Sequence, residues 1–186
     1  MLIGILGKKY SGKDTTADYI CNKYNGTKLI LADPLKEACK ILFNFSDEQL
    51  YGNLKENIDL NWGTSPRKIL QYLGTDIFRN DINKILPDIG SKFWINLMSI
   101  KYSEIKKEKS LIIVSDVRFQ NEIDRIHEHG GFIIKLIRES IKNDDKHESE
   151  NIDNLFGDYT IINDSTKNDL YHKIDTIIKE KTEFID

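Results

Sequence analysis

Five short runs along the 186-residue chain are apolar with hardly a break: LIGIL (2–6), KLILA (28–32), SLIIVS (110–115), FIIKLIR (132–138) and YTIIN (159–163). Runs of this kind suit strands covered on both faces, as in a parallel sheet, whereas a half-exposed strand alternates apolar and polar positions. Between them the apolar residues recur at helical spacing. This predicts helices over Lys13–Tyr24, Pro34–Phe43, Pro66–Leu86, Phe93–Glu108, Phe119–His129 and Lys167–Lys181. Asp33 and Ser65 stand as N-caps before Pro34 and Pro66, and Gly130-Gly131 closes the helix that starts near Phe119. Parallel neighbours need long crossovers, so the order predicts an α/β fold: a five-stranded parallel sheet with helices on both faces.

Ligands of such sheets gather at the carboxyl ends of the strands. The polar residues cluster there: Gly7 to Thr16 after the first strand, Asp33 after the second, Asp116 and Arg118 after the third, Arg138 after the fourth and Asn163 after the fifth. Two stretches, Ser46–Thr64 and Glu139–Asp158, are polar and without period. Long irregular segments in a small domain often serve as lids or binding loops.

Composition narrows the field. Apolar residues make up 39% of the chain and charged ones 31%, as in a soluble globular protein, and the length suits a single domain. The net charge of −3 offers no field for a polyanion. Lys101, Lys106, Lys107 and Lys109 alternate with Glu104 and Glu108 and read as a solvated helix end, so no nucleic-acid polymer is expected. No apolar run approaches a membrane span and the N-terminus lacks the features of a signal peptide, which points to a cytoplasmic protein without a membrane partner. Cys21 and Cys39 fall in helical stretches and read as small buried residues. His127 and His129, two apart on a helix, point to different sides and cannot share a metal; both read as surface residues.

The stretch GILGKKYSGKDTT carries the first chemistry. Gly7, Gly12 and Lys13 keep the register of a Gly-x4-Gly-Lys-Ser/Thr phosphate loop, whose backbone N–H groups and helix N-terminus face phosphate oxygens. Lys13 would reach the β and γ phosphates. Asp14 stands where a hydroxyl normally ligates Mg²⁺. A carboxylate there needs a cation between it and the phosphates, or must face the acceptor, while Thr15 and Thr16 still supply hydroxyls.

Three further stretches follow. In LIIVSDVRFQNEID, Asp116 ends an apolar strand, as does an aspartate that holds Mg²⁺, and Arg118 and Gln120 suit an acceptor; the plain alternative is a helix cap and a surface pair. In SPRKILQYLGTDIFRN, Arg67 and Gln71 share a helix face, either a cation and an amide suited to a phosphate and a base edge or simply a solvated face, where such a pair is common. Between Arg138 and Glu150, the residues Lys142, Lys146, His147, Glu148 and Glu150 form either a loop that closes over a transferring phosphoryl group or a solvated connection.

In combination, "SGKDTTAD" (11–18), "ADPLKEA" (32–38), "LQYLGTD" (70–76), "FW" (93–94), "VSDVRFQNEID" (114–124) and "IINDST" (161–166) resemble the phage-type deoxynucleoside monophosphate kinases, in order and over most of the chain. The resemblance implies an adenylate-kinase-like P-loop fold in one domain, 1–186, with an acceptor-binding helical insertion at 44–109 and a lid-like loop at 138–158. It implies transfer of the γ-phosphoryl of ATP, with Mg²⁺, to a deoxynucleoside monophosphate.

Carried over, Gly7, Lys9, Ser11, Gly12, Lys13, Thr15 and Thr16 would hold ATP, with Asn163 near adenine. Asp14, Thr15 and Asp116 would stand near Mg²⁺. Lys36, Arg67, Gln71, Gly74, Thr75, Trp94, Asp116, Arg118, Gln120 and Glu122 would grip the acceptor, and Lys13, Asp14, Arg118 and Arg138 would serve the transfer. The segment Ser46–Thr64 is shorter than the insertion of the best-known phage members, so the base preferred stays open, as does the choice between monomer and homodimer.

"VSDVR" and "HESENIDNLFGDYTIIND" also look like animal-type phosphomevalonate kinases, which share the Ser-Gly-Lys-Asp loop. The segment from Arg67 to Asp76 and Trp94 favour a nucleotide acceptor instead. A third reading is a P-loop module that binds nucleotide without catalysis; Arg67, Arg118 and Lys36 argue against it, since such a module needs no acceptor pocket. The abundance of Ile, Lys and Asn fits an AT-rich, viral source.

Overall fold

The first apolar run forms β1 (Leu2–Gly7), buried along its whole length and hydrogen-bonded on both edges. A computed structural model describes residues 1–87, 89–140 and 147–183. It adds β2 (Thr27–Leu29), β3 (Ile112–Val117), β4 (Phe132–Ile137) and β5 (Tyr159–Ile162) in the order β2-β3-β1-β4-β5, with every pairing parallel. Leu2 pairs with Ile112 and Ile3 with Phe132, so Gly7 emerges at the carboxyl edge beside Leu136.

Contacts divide the chain into two compact units, 1–30 with 98–186, and 31–97. In the first, the sheet carries helices on both faces. Ile3 and Ile5 pack with Ala17 and Ile20 of α1 (Lys13–Tyr24) and with Leu170, Ile174 and Ile178 of α7 (Lys167–Glu183). Successive strand residues face opposite sides. Gly4 accordingly meets Ile126 of α6 (Gln120–Glu128) on the other face.

The second unit is helical: α2 (Asp33–Phe43), α3 (Asp47–Leu50), a 3₁₀ turn (Asn53–Glu56), α4 (Pro66–Gln71) and the start of α5 (Phe93–Ile105). Leu35, Cys39, Phe45, Leu50, Leu70 and Trp94 make its core. Within the aperiodic stretch at 46–64, Ser46 and Gln49 form a capping box that starts α3.

Several expectations need correction. The helix expected over Pro66–Leu86 is α only to Gln71; Tyr72–Asn80 is a π-helix and Asp81–Lys84 a 3₁₀ turn. The indole N–H of Trp94 donates to the Gly74 carbonyl at 2.8 Å, a bond that supports this widened turn from outside the helix. Ser65 caps α4 as expected, accepting from the Lys68 N–H, but Asp33 does not cap α2. Ala32 holds that position, and Asp33 lies inside the first turn, 3.3 Å from the Lys36 ammonium. The second strand stops at Leu29, short of Ala32, and Asp116 lies inside β3 rather than after it. Cys39 is buried, but Cys21 is only half-buried.

Candidate active site

The loop after β1 is shaped by its glycines. A Cβ on Gly7 would collide with the Ser11 hydroxyl and lie 3.0 Å from the Leu136 carbonyl oxygen. Gly12, at φ +103°, sits in the left-handed region and begins α1 without a side-chain cap. Its carbonyl accepts the Thr16 N–H at 2.9 Å, while the Ser11 N–H reaches Lys8 O at 3.2 Å. The loop thus turns back on itself, leaving a helix N-terminus open at the sheet's carboxyl edge, as an anion site requires.

Lys13 follows Gly12 and folds over this loop, 8% exposed, its ammonium donating to the Gly7 and Lys8 carbonyls at 2.7 Å each. Burial, and then the Arg118 guanidinium, push it down to about 7, against the pull of Glu150, Asp14 and Asp116. Those five charged groups therefore share one region. Ser11 Oγ and Thr16 Oγ1 are buried there without a hydrogen-bond partner among the described residues. Buried hydroxyls of this kind are suited to bonding the oxygens of a phosphate. Asp14 is exposed on the first turn of α1, Thr15 is half-buried beside it, and Lys9 presents its backbone N–H to Glu150.

The carboxyl ends of β4 and β5 complete this side. A cavity of about 140 Å³ is lined by Gly12, Thr15, Arg138, Asn163, Ser165, Lys167 and Leu170. Asn163 does not turn wholly to that cavity. Its Nδ2 donates to the Ser11 carbonyl at 2.9 Å, bracing the phosphate loop.

On β3 and the start of α6, Arg118 pairs with Glu150 at 2.8 Å. Glu122, 3% exposed, accepts from the Arg118 and Phe119 N–H groups at 2.7 and 3.2 Å. Expected on the acceptor, it is instead committed to the backbone that carries Arg118. Gln120 is exposed and bonds to Asp124 at 2.7 Å.

In the helical unit, Arg67 lies 3.6 Å from Glu56, and the Lys36 ammonium sits 4.3 Å above the Tyr51 ring. Gln71 ends α4, where the π-helix begins. Thr75 is buried, and Trp94, 7% exposed, belongs to the core and is joined to Gly74 by its indole bond.

Among the described residues no three acidic, His or Cys side chains converge as a metal site. Asp14, Thr15 and Asp116 still fit Mg²⁺ in its usual role, held by one or two carboxylates and substrate phosphates. His127 pairs with Asp158 and His129 lies against Tyr102, in separate places. Lys142 and Lys146 lie outside the described residues. Glu150, read as part of a loop over the phosphoryl group or of a solvated connection, is buried, and Asp153, which sequence reasoning did not single out, pairs with Lys8 at 2.7 Å; both lie in a charged stretch without period.

The family model described as Deoxynucleotide monophosphate kinase matches residues 1–61 and 47–174. The chain belongs to this family. Deoxynucleotide monophosphate kinases are phosphotransferases, and the membership decides against the phosphomevalonate kinases. A candidate deoxynucleotide monophosphate kinase of Acanthamoeba polyphaga mimivirus is 41% identical over 181 residues, 94% of each chain. The Deoxynucleotide monophosphate kinase of Enterobacteria phage T4 is 25% identical over 246 aligned positions, covering 96% of this chain and 98% of that one. That alignment is longer than this whole chain, so the phage protein carries residues that this kinase lacks. Among solved structures the kinase is similar to the dephospho-CoA kinase from Campylobacter jejuni, at 18% identity and a TM-score of 0.48, over 100% of this chain and 98% of that one. No helix among the described residues is long and apolar enough to cross a membrane.

Proposed function

We propose that the chain transfers the γ-phosphoryl group of ATP to a deoxynucleoside monophosphate, releasing ADP and the deoxynucleoside diphosphate. One observation carries the reading for this member of the family. At the carboxyl end of the central strand, a loop built on Gly7 and Gly12 collects a buried Lys13 and the unpartnered hydroxyls of Ser11 and Thr16.

Phosphoryl transfer asks little covalent work of a protein; positioning and charge neutralisation supply most of the rate. The loop N–H groups and Lys13 hold the β and γ phosphates of the donor. Its base enters the cavity beside Gly12, between Arg138, Asn163 and Lys167. Arg138 lines that cavity and offsets charge on the transferred group. Arg118 supplies a cation for the acceptor. An acceptor phosphate oxygen forms the new bond to phosphorus as the bond to the ADP oxygen breaks. No general base is required, because that phosphate is already ionised at neutral pH. Mg²⁺, when bound with the nucleotide near Asp14 and Asp116, supplies further charge neutralisation.

The test is a coupled assay of ADP release from ATP and Mg²⁺, run against a panel of deoxynucleoside monophosphates, ribonucleoside monophosphates and phosphomevalonate. Turnover that depends on a deoxynucleoside monophosphate is the expected result. Turnover on phosphomevalonate alone, or ATP hydrolysis indifferent to any acceptor, overturns it.

A further inference from the structure

Glu150 holds a place that suits an anion from outside the chain. Its carboxylate is 2% exposed, and a buried carboxylate is costly unless cations and N–H groups surround it. Two of its partners are those a phosphate would choose. Oε1 lies 2.8 Å from an Arg118 guanidinium nitrogen, and Oε2 faces the Lys9 N–H, a phosphate-loop amide, at 3.4 Å.

The rest of the segment follows it down. Asp153, three residues on, takes the Lys8 ammonium at 2.7 Å, and the Lys135 ammonium holds the Asp153 and Leu155 carbonyls. The Lys13 ammonium, within the field of Glu150, donates to loop carbonyls. Lys8 of the loop and Arg118 are thus engaged by the chain's own acids. By contrast, Ser11 Oγ and Thr16 Oγ1, which a carboxylate at Lys9 and Arg118 does not reach, remain unpartnered.

We propose that Glu150 is an internal occupant of the phosphate site: its carboxylate holds Arg118 while competing with nucleotide phosphate for the Lys9 N–H, and must withdraw for nucleotide to bind. The proposal rests on the reading of Gly7–Thr16 as a phosphate loop. Displacement exchanges a single charge with two oxygens for a phosphate with more of both. It frees Arg118 only once nucleotide is present. A loop whose Lys8 is paired with Asp153 and whose Lys9 N–H faces Glu150 also gains little by binding stray phosphate.

The test compares wild type with Glu150→Gln. Calorimetric titration with ADP and Mg²⁺ should give a dissociation constant at least about fivefold lower for the variant, because the amide no longer competes as an anion. An equal or weaker affinity overturns the proposal, since a Glu150 that merely positions Arg118 for the bound state would weaken binding when changed. A second measurement needs no variant. On addition of ADP and Mg²⁺, amides of 147–153 in the wild type should exchange with deuterium faster while those of 7–16 become protected. Slower or unchanged exchange at 147–153, with 7–16 protected, overturns the occupant and leaves the phosphate loop standing. Absence of nucleotide binding in both proteins overturns both.

Discussion

The side-chain amide of Asn163, at the end of β5, donates to the carbonyl of Ser11 at 2.9 Å, so the fifth strand braces the phosphate loop that the first strand launches. The bond fixes the peptide between Ser11 and Gly12, and a Cβ on Gly12 would come within 2.5 Å of the same amide. Asn163→Ala removes the brace and enlarges the adjoining cavity. The KM for ATP should rise by about tenfold, the weight of one lost half-buried hydrogen bond, while the KM for the acceptor stays within about twofold. Steady-state kinetics with each substrate varied in turn checks this.

Lys13 gives nucleotide binding a proton signature. With its ammonium pushed down to about 7 by burial and by Arg118, Lys13 is largely neutral above that pH in the free protein. Phosphate beside it favours the charged form, so binding restores the proton. At pH 8 about nine-tenths of a proton should be taken up per nucleotide through Lys13, and at pH 6 about a tenth. Affinity therefore falls as pH rises above about 7. Titration calorimetry in two buffers of different ionisation enthalpy measures the uptake. Lys13→Arg should abolish its Lys13 component, because a guanidinium keeps its proton throughout; an unchanged uptake in that variant contradicts the assignment.

Glu122 acts on Arg118 through the backbone. Its carboxylate accepts from two N–H groups at the start of α6, and it is buried. Glu122→Ala leaves both groups without an acceptor and should destabilise the fold by about 2 kcal/mol. Glu122→Gln keeps an acceptor oxygen and most of that stability. Denaturant titration reads the difference. In the kinetics, Glu122→Ala should raise the acceptor KM with little change in ATP affinity, and rescue by Gln would separate this positioning role from direct contact with substrate.

What the letters disclosed and what they withheld follow from the range of the forces involved. Strands β1, β3 and β4 were legible because burial on both faces leaves almost no polar letter in them, and the phosphate loop because Gly7 and Gly12 answer to local sterics; β5, read as covered on both faces, is instead an edge strand in which Ile161 is buried while Thr160 and Ile162 are exposed. The π turn at Tyr72–Asn80 was not. Its apolar spacing is close to that of an α-helix, and the bond that supports it comes from Trp94, outside the local window. Glu122 was read as a substrate contact although a Glu three residues after the cap position is itself a helix-start signal, and here that local reading describes the geometry. Glu150 was legible only as one of several polar residues in its loop, because its burial depends on Arg118 and Lys9, both remote along the chain.

The acid limb of stability should depend on Asp175. Its carboxylate accepts from the Tyr24 hydroxyl at 2.7 Å, the Tyr19 hydroxyl at 2.8 Å and the Lys23 ammonium at 2.6 Å, tying α7 to α1. Burial alone would raise its pKa, but the bonds from Lys23, Tyr24 and Tyr19 outweigh that and hold it below the ordinary carboxylate value. A carboxyl depressed in the folded state contributes stability above its unfolded pKa, lost as pH falls through the folded one. Asp175→Asn should cost about 1–3 kcal/mol at pH 7. The gap between variant and wild type should narrow below about pH 4, where the wild-type carboxyl protonates as well. Thermal unfolding across pH 2–7 measures it, and a gap that stays constant with pH excludes the charge as its source.

Asp14 separates stability from chemistry. It is exposed on the first turn of α1, where a carboxylate interacts favourably with the helix N-terminus but has no packing to lose. Asp14→Asn should therefore change stability by less than about 1 kcal/mol. Yet a negative charge beside phosphates opposes nucleotide binding unless a cation lies between them, and it contributes to the field that Lys13 experiences. If Asp14 meets the nucleotide through Mg²⁺, the Asn variant should lose turnover by at least about tenfold. Its affinity for ADP without metal should hold or improve. Affinity titrations with and without Mg²⁺, set beside kcat, distinguish the two roles: a variant with full turnover and unchanged metal dependence would reduce Asp14 to a helix-end charge.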